Sequence, residues 1–152
     1  GTSSRVSFSD WILRGLQQGQ ELTMFSDSFF TPILINQLVD LIFNLVQRDE
    51  IGVFHLAGAE RISKHAFALQ LAERFGYSTD CIRSISLDYF DFKAARPKEM
   101  SLSCAKAQQC LDHPMPTVSQ GMDRLRQLQQ ARWQETLEAA LEKGKTSFAP
   151  ER

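Results

Sequence analysis

Apolar residues recur at two spacings along the chain, and the alternation between them predicts its elements. Trp11, Ile12 and Leu16 share one helical face; Ser9 precedes them as a candidate cap, Asp10 falls in the first turn and Gly19 ends the run. Glu21-Leu22-Thr23-Met24-Phe25 alternates polar and apolar, as a half-buried strand does, and Ser26-Asp27-Ser28 supplies turn chemistry. Thr31-Pro32 predicts a helix start. Leu34, Leu38, Leu41, Ile42 and Leu45 follow at helical spacing, Ile35, Val39 and Val46 widen the stripe, and the helix should end near Arg48. Gly52 and Gly58 bracket a short strand, Val53 to Ala57. Ser63 is the next cap, with Ile62 and Phe67 spaced as a hydrophobic staple and Gly76 as the stop.

A third extended segment runs from Ile82 to Leu87, and 88–102 shows no period and reads as a surface loop. A short helix from Ser103 to about Leu111 is broken by Pro114 and Pro116. Thr117-Val118-Ser119-Gln120 fits a capping box, opening a helix that Val118, Met122 and Leu125 continue and that Trp133, Leu137 and Leu141 extend. About five helices and three short strands make a mixed, helix-rich α/β chain. Three strands are too few for a complete doubly wound sheet, and broad apolar stripes exceed what so small a sheet can cover. The expectation is a domain that packs against something else, with residues 1–130 as the domain and 131–152 as a helical extension and frayed tail.

Composition narrows the chemistry. The chain has 152 residues, 43% hydrophobic and 23% charged, the make-up of one folded domain. A net charge of -1 argues against binding nucleic acid through phosphate neutralisation, and no apolar run approaches a membrane span. Cys81, Cys104 and Cys110 are odd in number and lack CxxC spacing, so they read as free thiols in the cytoplasm. Residues 1–92 carry 7 basic and 11 acidic groups and residues 93–152 carry 10 and 7; this tilts any anion site slightly toward the second half, but on charge alone the better reading is chance asymmetry on solvated faces.

Most familiar catalytic signatures are missing. No glycine-rich phosphate loop, GxSxG or HExxH occurs, and no metal site is expected. His55, His65 and His113 are scattered; His55 reads as structural, His65 as solvated and His113 as a loop residue. Tyr89 and Lys93 stand four residues apart, a spacing that on a helix lets an ammonium lower a phenol pKa, but the segment lacks helix signals and we read it as chance.

Two runs remain. Ser26 to Pro32 is a polar turn before a candidate helix N-terminus. Its free N–H groups would suit an anion, and Phe29 and Phe30 a flat ring; plain capping with two core phenylalanines fits equally well. Ala94 to Leu102, with Lys106 beyond, places Arg96 before the rigid Pro97; such an arginine can hold a phosphate bidentately, or be an ordinary surface residue.

Taken in order, these segments resemble the C-terminal half of the extended short-chain dehydrogenases/reductases, closest to the dTDP-4-dehydrorhamnose reductases, over roughly residues 7–130. The resemblance rests on Trp11 to Gly19 with Glu21-Leu22, on Asp27 with Thr31-Pro32 and Leu38 to Ile42, on Gly52 to Gly58, on the Ser63 to Gly76 helix and on Arg96-Pro97, Leu102 and Lys106. The family often has glutamine, glycine and threonine where this chain has Ser28, Phe30 and Ile33, and aspartate where it has Ser103.

The resemblance implies the substrate-binding part of an enzyme that uses NAD(P)H to reduce a 4-keto sugar nucleotide. The N-terminal Rossmann half, which carries the cofactor and the proton-donating tyrosine, would be absent here. It further implies Asp27, Thr31, Pro32, Arg96, Pro97 and Lys106 as sugar-nucleotide-binding residues, with Arg96 at the diphosphate. No catalytic residue and no bound cofactor are expected in this piece, which alone should be inactive. A homo-oligomer is compatible with it. An epimerase or dehydratase of the same family, or a non-catalytic regulatory or interaction subunit, is the alternative.

Overall fold

A computed structural model describes residues 6–111 and 113–131. Helix α1 (Phe8–Gln17) is capped by Ser7, whose hydroxyl oxygen accepts from the Asp10 N–H at 3.1 Å. The cap therefore lies two residues ahead of the expected Ser9, and Phe8 enters the helix, where it meets Trp11, Phe30 and Phe67. Strand β1 (Leu22–Phe25) runs parallel to β4 (Ile82–Ile85), Leu22 opposite Ile82 and Phe25 opposite Ile85. Parallel strands need a long crossover, and here it carries β2 (Phe29–Phe30), α2 (Ile35–Val46), β3 (Ile62–Ser63) and α3 (Lys64–Phe75). The short β2 and β3 pair antiparallel.

Local signals set several boundaries. Ser63 caps α3, accepting from the Ala66 N–H at 3.1 Å, and Gly76 ends it in the left-handed conformation with φ of 76°. A 3-10 turn (Leu87–Tyr89) follows β4, so Tyr89 and Lys93 do not share a helix. Helix α4 (Ala105–Leu111) precedes α5 (Val118–Gln130), which starts with the full Thr117–Gln120 capping box. Trp133, Leu137 and Leu141 lie outside the described residues, as does the boundary placed after residue 130 in all but Ala131.

Two further expectations change. Helix α2 begins at Ile35 behind Leu34, which gives no side-chain cap, because Thr31 uses its hydroxyl elsewhere and the chain from Thr31 to Leu34 stays out of the helix. The expected strand Val53 to Ala57 joins no ladder among the described residues, since no neighbouring strand offers it an edge. Its hydrogen bonds run to α4 and the residue before it instead: the Ala57 N–H donates to Cys104 Sγ at 3.1 Å, the Cys104 thiol donates to the Ala57 carbonyl at 3.8 Å, and Lys106 Nζ donates to the Val53 carbonyl at 3.1 Å.

The interior is built as two clusters. In one, α1 and α3 pack with β1 and β4 through Ile12, Leu16, Met24, Leu71 and Ile82, and Val118 and Met122 of α5 join them. In the other, Leu41 and Leu45 of α2 meet Ala107 and Leu111 of α4, with Ala57 and Met115. The residues that widen the α2 stripe enter neither cluster, and nor does Ile42, which the spacing placed within the stripe itself. Ile35, Val39, Ile42, Phe43 and Val46 are exposed, so α2 buries one flank and leaves a second apolar flank on the surface.

Candidate substrate-binding surface

The parallel β1–β4 pair ends where the Ser26 N–H donates to the Ile85 carbonyl at 2.9 Å, and both chains turn there. On one side stands the 26–32 turn, anchored by buried Ser28, whose carbonyl accepts from the Lys64 N–H that starts α3. On the other side the chain passes through the 3-10 turn into residues 90–104.

Asp27 joins the two sides. Its carboxylate accepts from the Ser86 hydroxyl at 2.6 Å, the Leu87 N–H at 2.8 Å and Lys98 Nζ at 3.0 Å. The Ser86 bond first, then the Leu87 N–H and the Lys98 ammonium, hold its pKa well below the ordinary carboxylate range. Lys98 also reaches Asp88 at 2.5 Å; that hydrogen bond first, then the one to Asp27, raises the ammonium pKa.

The backbone continues the fastening. The Phe29 N–H donates to the Lys98 carbonyl at 2.7 Å and the Met100 N–H to the Phe29 carbonyl at 3.0 Å, which sets Phe29 in a parallel bridge with Glu99. Arg61 lies 3.5 Å from the Phe29 ring centroid and pairs with Glu99 at 2.7 Å. That hydrogen bond first, then those from the Ser101 hydroxyl and N–H, bring the Glu99 pKa down to about 2. The Leu102 N–H donates to Thr31 Oγ1 at 3.2 Å.

The two sequence runs therefore form one surface, with Asp27 and Thr31 holding the segment that starts at Arg96-Pro97. Arg96 is exposed. No carboxylate pairs with it among the described residues, and its guanidinium carbon stands 5.8 Å from the Phe92 ring centroid. Phe92 stacks on Phe90 at 5.5 Å, and both meet Phe25 edge-on. Pro97 is exposed beside it. Pro32 faces the protein instead, lining a small apolar cavity with Phe67, Leu71 and Val118. Lys106 is engaged elsewhere: its ammonium bonds the Val53 carbonyl and sits 4.0 Å from the Phe54 ring centroid.

Several of these residues were not singled out as site residues from sequence. Lys98 belonged to the named run, but its pairing with Asp27 spans 71 positions and leaves no local trace. Arg61 with Glu99, and the Phe25, Phe90 and Phe92 group, have none either. Of the histidines, His55 and His113 are exposed, and His65 is half-buried rather than solvated. Cys81, Cys104 and Cys110 are unpaired, and Cys104 is buried.

The described residues do not fit a dinucleotide. A dinucleotide cradle needs a strand, a glycine-rich turn and a helix in sequence; among the described residues β3 runs straight into α3 through the Ser63 cap and β4 passes through Ser86 into a 3-10 turn, neither with a glycine at the junction. Among the described residues no group of three or more His, Cys, Asp or Glu could hold a metal ion, and no helix is long and apolar enough to cross a membrane.

Comparison with known proteins agrees with this layout. The family model described as the RmlD substrate binding domain matches residues 2–143. The probable low-salt glycan biosynthesis reductase Agl14 of Haloferax volcanii is 25% identical over 124 residues, covering 82% of this chain and 41% of that protein. Among solved structures, the dTDP-4-dehydrorhamnose reductase of Bacillus anthracis, in complex with NADP, superposes with a TM-score of 0.72 at 20% identity, over 80% of this chain and 43% of that one. A hypothetical dTDP-4-dehydrorhamnose reductase from Sulfolobus tokodaii gives 0.63 at 25% identity, over 74% and 40%. The chain thus spans about two fifths of the length of these relatives.

Proposed function

The chain belongs to the RmlD substrate-binding-domain family, and on that premise we propose that it is the sugar-nucleotide-binding part of an NAD(P)-dependent cytoplasmic reductase acting on a keto sugar. The observation that carries this reading is the joining of the Asp27–Pro32 turn to the Arg96–Leu102 loop, with an exposed arginine at its head. A guanidinium presents two parallel N–H donors that match the oxygens of a diphosphate. Asp27 and Thr31 shape the surface by fixing the loop, and Pro97 stiffens it. On this reading the hydride and proton donors belong to another portion of the reductase.

The contact with that portion is proposed at two adjoining features. Val53 to Leu56 alternates exposed and half-buried positions and joins no ladder among the described residues, and the exposed flank of α2 just before it has the apolar row of a helix that covers a sheet. A helix followed by an unpaired strand is what remains when one edge of a layered α/β sheet is taken alone.

Titration of the chain with a dTDP-sugar, followed by NMR, tests the reading. Shifts centred on Arg96 and the 26–31 turn, lost in Arg96→Ala, are the expected result. Shifts elsewhere, or binding untouched by Arg96→Ala, overturn it. The chain alone is expected to show no NAD(P)H oxidation with a keto-sugar nucleotide, and turnover would overturn the division of labour.

A further inference from the structure

The loop that presents Arg96 carries a second cation two residues on, and its surroundings give it a different task. The Lys98 ammonium lies 2.5 Å from Asp88 and 3.0 Å from Asp27. Two carboxylates around one ammonium leave a local excess of negative charge, which would repel an incoming phosphate. At the same residue the carbonyl accepts from the Phe29 N–H at 2.7 Å. Position 98 is thus tied to the protein through side chain and backbone together. Pro97 fixes φ between that anchor and Arg96, and the Phe92 ring flanks the guanidinium from the loop's own preceding turn.

We propose that Lys98 is a positioning residue rather than an anion ligand: its ammonium, bridging Asp27 and Asp88, latches the 96–102 loop against β2 so that Arg96 alone meets the ligand's diphosphate. The diphosphate end of this proposal rests on the reading of the site given above. Without the latch, the two backbone bonds to Phe29, the Arg61–Glu99 pair and the Thr31 bond still hold loop 96–102 in place but open more often, because one of its fastenings is gone. The protein then still folds, but Arg96 samples a wider range of positions and the ordering cost falls on binding.

The test is a double-mutant cycle on the whole chain with thymidine diphosphate as probe, read by NMR titration. Lys98→Met is expected to weaken binding about tenfold. Arg96→Ala should weaken it at least as much, and Lys98→Met in the Arg96→Ala background should add nothing. Lys98→Arg, which can still bridge both carboxylates, should restore binding to within about twofold. A second readout needs no ligand: amide exchange at Met100 and Leu102 should quicken in Lys98→Met while amides of α1 and α3 keep their rates.

Losses that multiply in the double variant would make Lys98 a direct ligand and overturn the proposal, as would tighter binding or unchanged loop exchange in Lys98→Met. The two readings fail separately. Unchanged exchange with a sound Arg96→Ala effect removes the latch and keeps the site. Quickened exchange with no thymidine diphosphate bound by the unmodified chain removes the diphosphate site and keeps the latch as a loop fastener.

Discussion

A β-carbon at Gly58 would stand 2.1 Å from the Pro32 carbonyl oxygen. The end of the 53–58 segment and the 26–32 turn thus meet backbone to backbone, and only glycine permits the approach. Because the obstacle is main chain, no rotamer change relieves it. Gly58→Ala is expected to lower stability by about 2–4 kcal/mol in chemical denaturation. A change under about 0.5 kcal/mol would show that the two segments move apart freely.

Acid should loosen the 96–102 loop late. Asp27 and Glu99 both have folded-state pKa values below those of the unfolded chain, Glu99 at about 2 against 4.5. A depressed carboxylate contributes stability above its unfolded pKa and loses it as pH falls through the folded one. Loop amide protection is therefore expected to hold down to about pH 4.5 and to decline toward pH 2. Glu99→Gln should remove part of that decline while leaving protection of the α1–α3 core unchanged. Identical acid profiles for Glu99→Gln and the unmodified chain would contradict the Arg61–Glu99 pairing. Lys98 works with the opposite sign: its raised pKa contributes stability below the ordinary ammonium value of 10.5, lost as pH rises through the folded value.

Arg96 and Lys106 stand together in the sequence run but separate in their surroundings, which yields opposite expectations. Arg96→Ala should weaken dTDP-sugar binding about tenfold or more, flatten its salt dependence and leave stability within about 0.5 kcal/mol, since the side chain is exposed. Lys106→Met should leave binding near the unmodified value and instead release the Val53 carbonyl, seen as faster exchange and shifted resonances at residues 52–54. A binding loss from Lys106→Met equal to that from Arg96→Ala would place both cations on the ligand.

What could be read in the sequence divides by range. The Ser63 cap, the Gly76 stop and the Thr117–Gln120 box are each decided within a few residues, and each stands where the pattern placed it. Ser9 has the chemistry of a cap, yet α1 is capped by Ser7, because the earlier start takes Phe8 into the helix and against an aromatic core. Thr31-Pro32 has the chemistry of a helix start, yet Leu102, 71 positions away, claims the Thr31 hydroxyl and α2 begins later. The same distance hides the Asp27–Lys98 pair. The two polar runs were visible separately, while their union depends on bonds across the end of the β1–β4 pair that no local pattern encodes. The short run Val53 to Ala57 between Gly52 and Gly58 was also visible, but a ladder needs a second edge.

Helix α2 offers the sharpest test of the proposed contact with a nucleotide-binding portion, because its two apolar flanks look alike in sequence and differ in surroundings. Leu41 is 6% exposed and packs in the second core cluster, whereas Phe43 is 63% and Val46 67% exposed. Leu41→Ala should therefore cost about 2–4 kcal/mol, the usual penalty for emptying a buried leucine site. Phe43→Ser should cost within about 0.5 kcal/mol in this chain, since neither burial nor helix propensity changes much. In a polypeptide that also carries a nucleotide-binding portion, the ranking should reverse for docking: Phe43→Ser combined with Val46→Ser weakens the contact between the portions, seen as faster amide exchange in residues 53–57, while α3 keeps its protection. If Phe43→Ser unfolds the isolated chain as Leu41→Ala does, that flank is core and not interface. If the double variant leaves exchange in the longer polypeptide unchanged, the contact lies on another face.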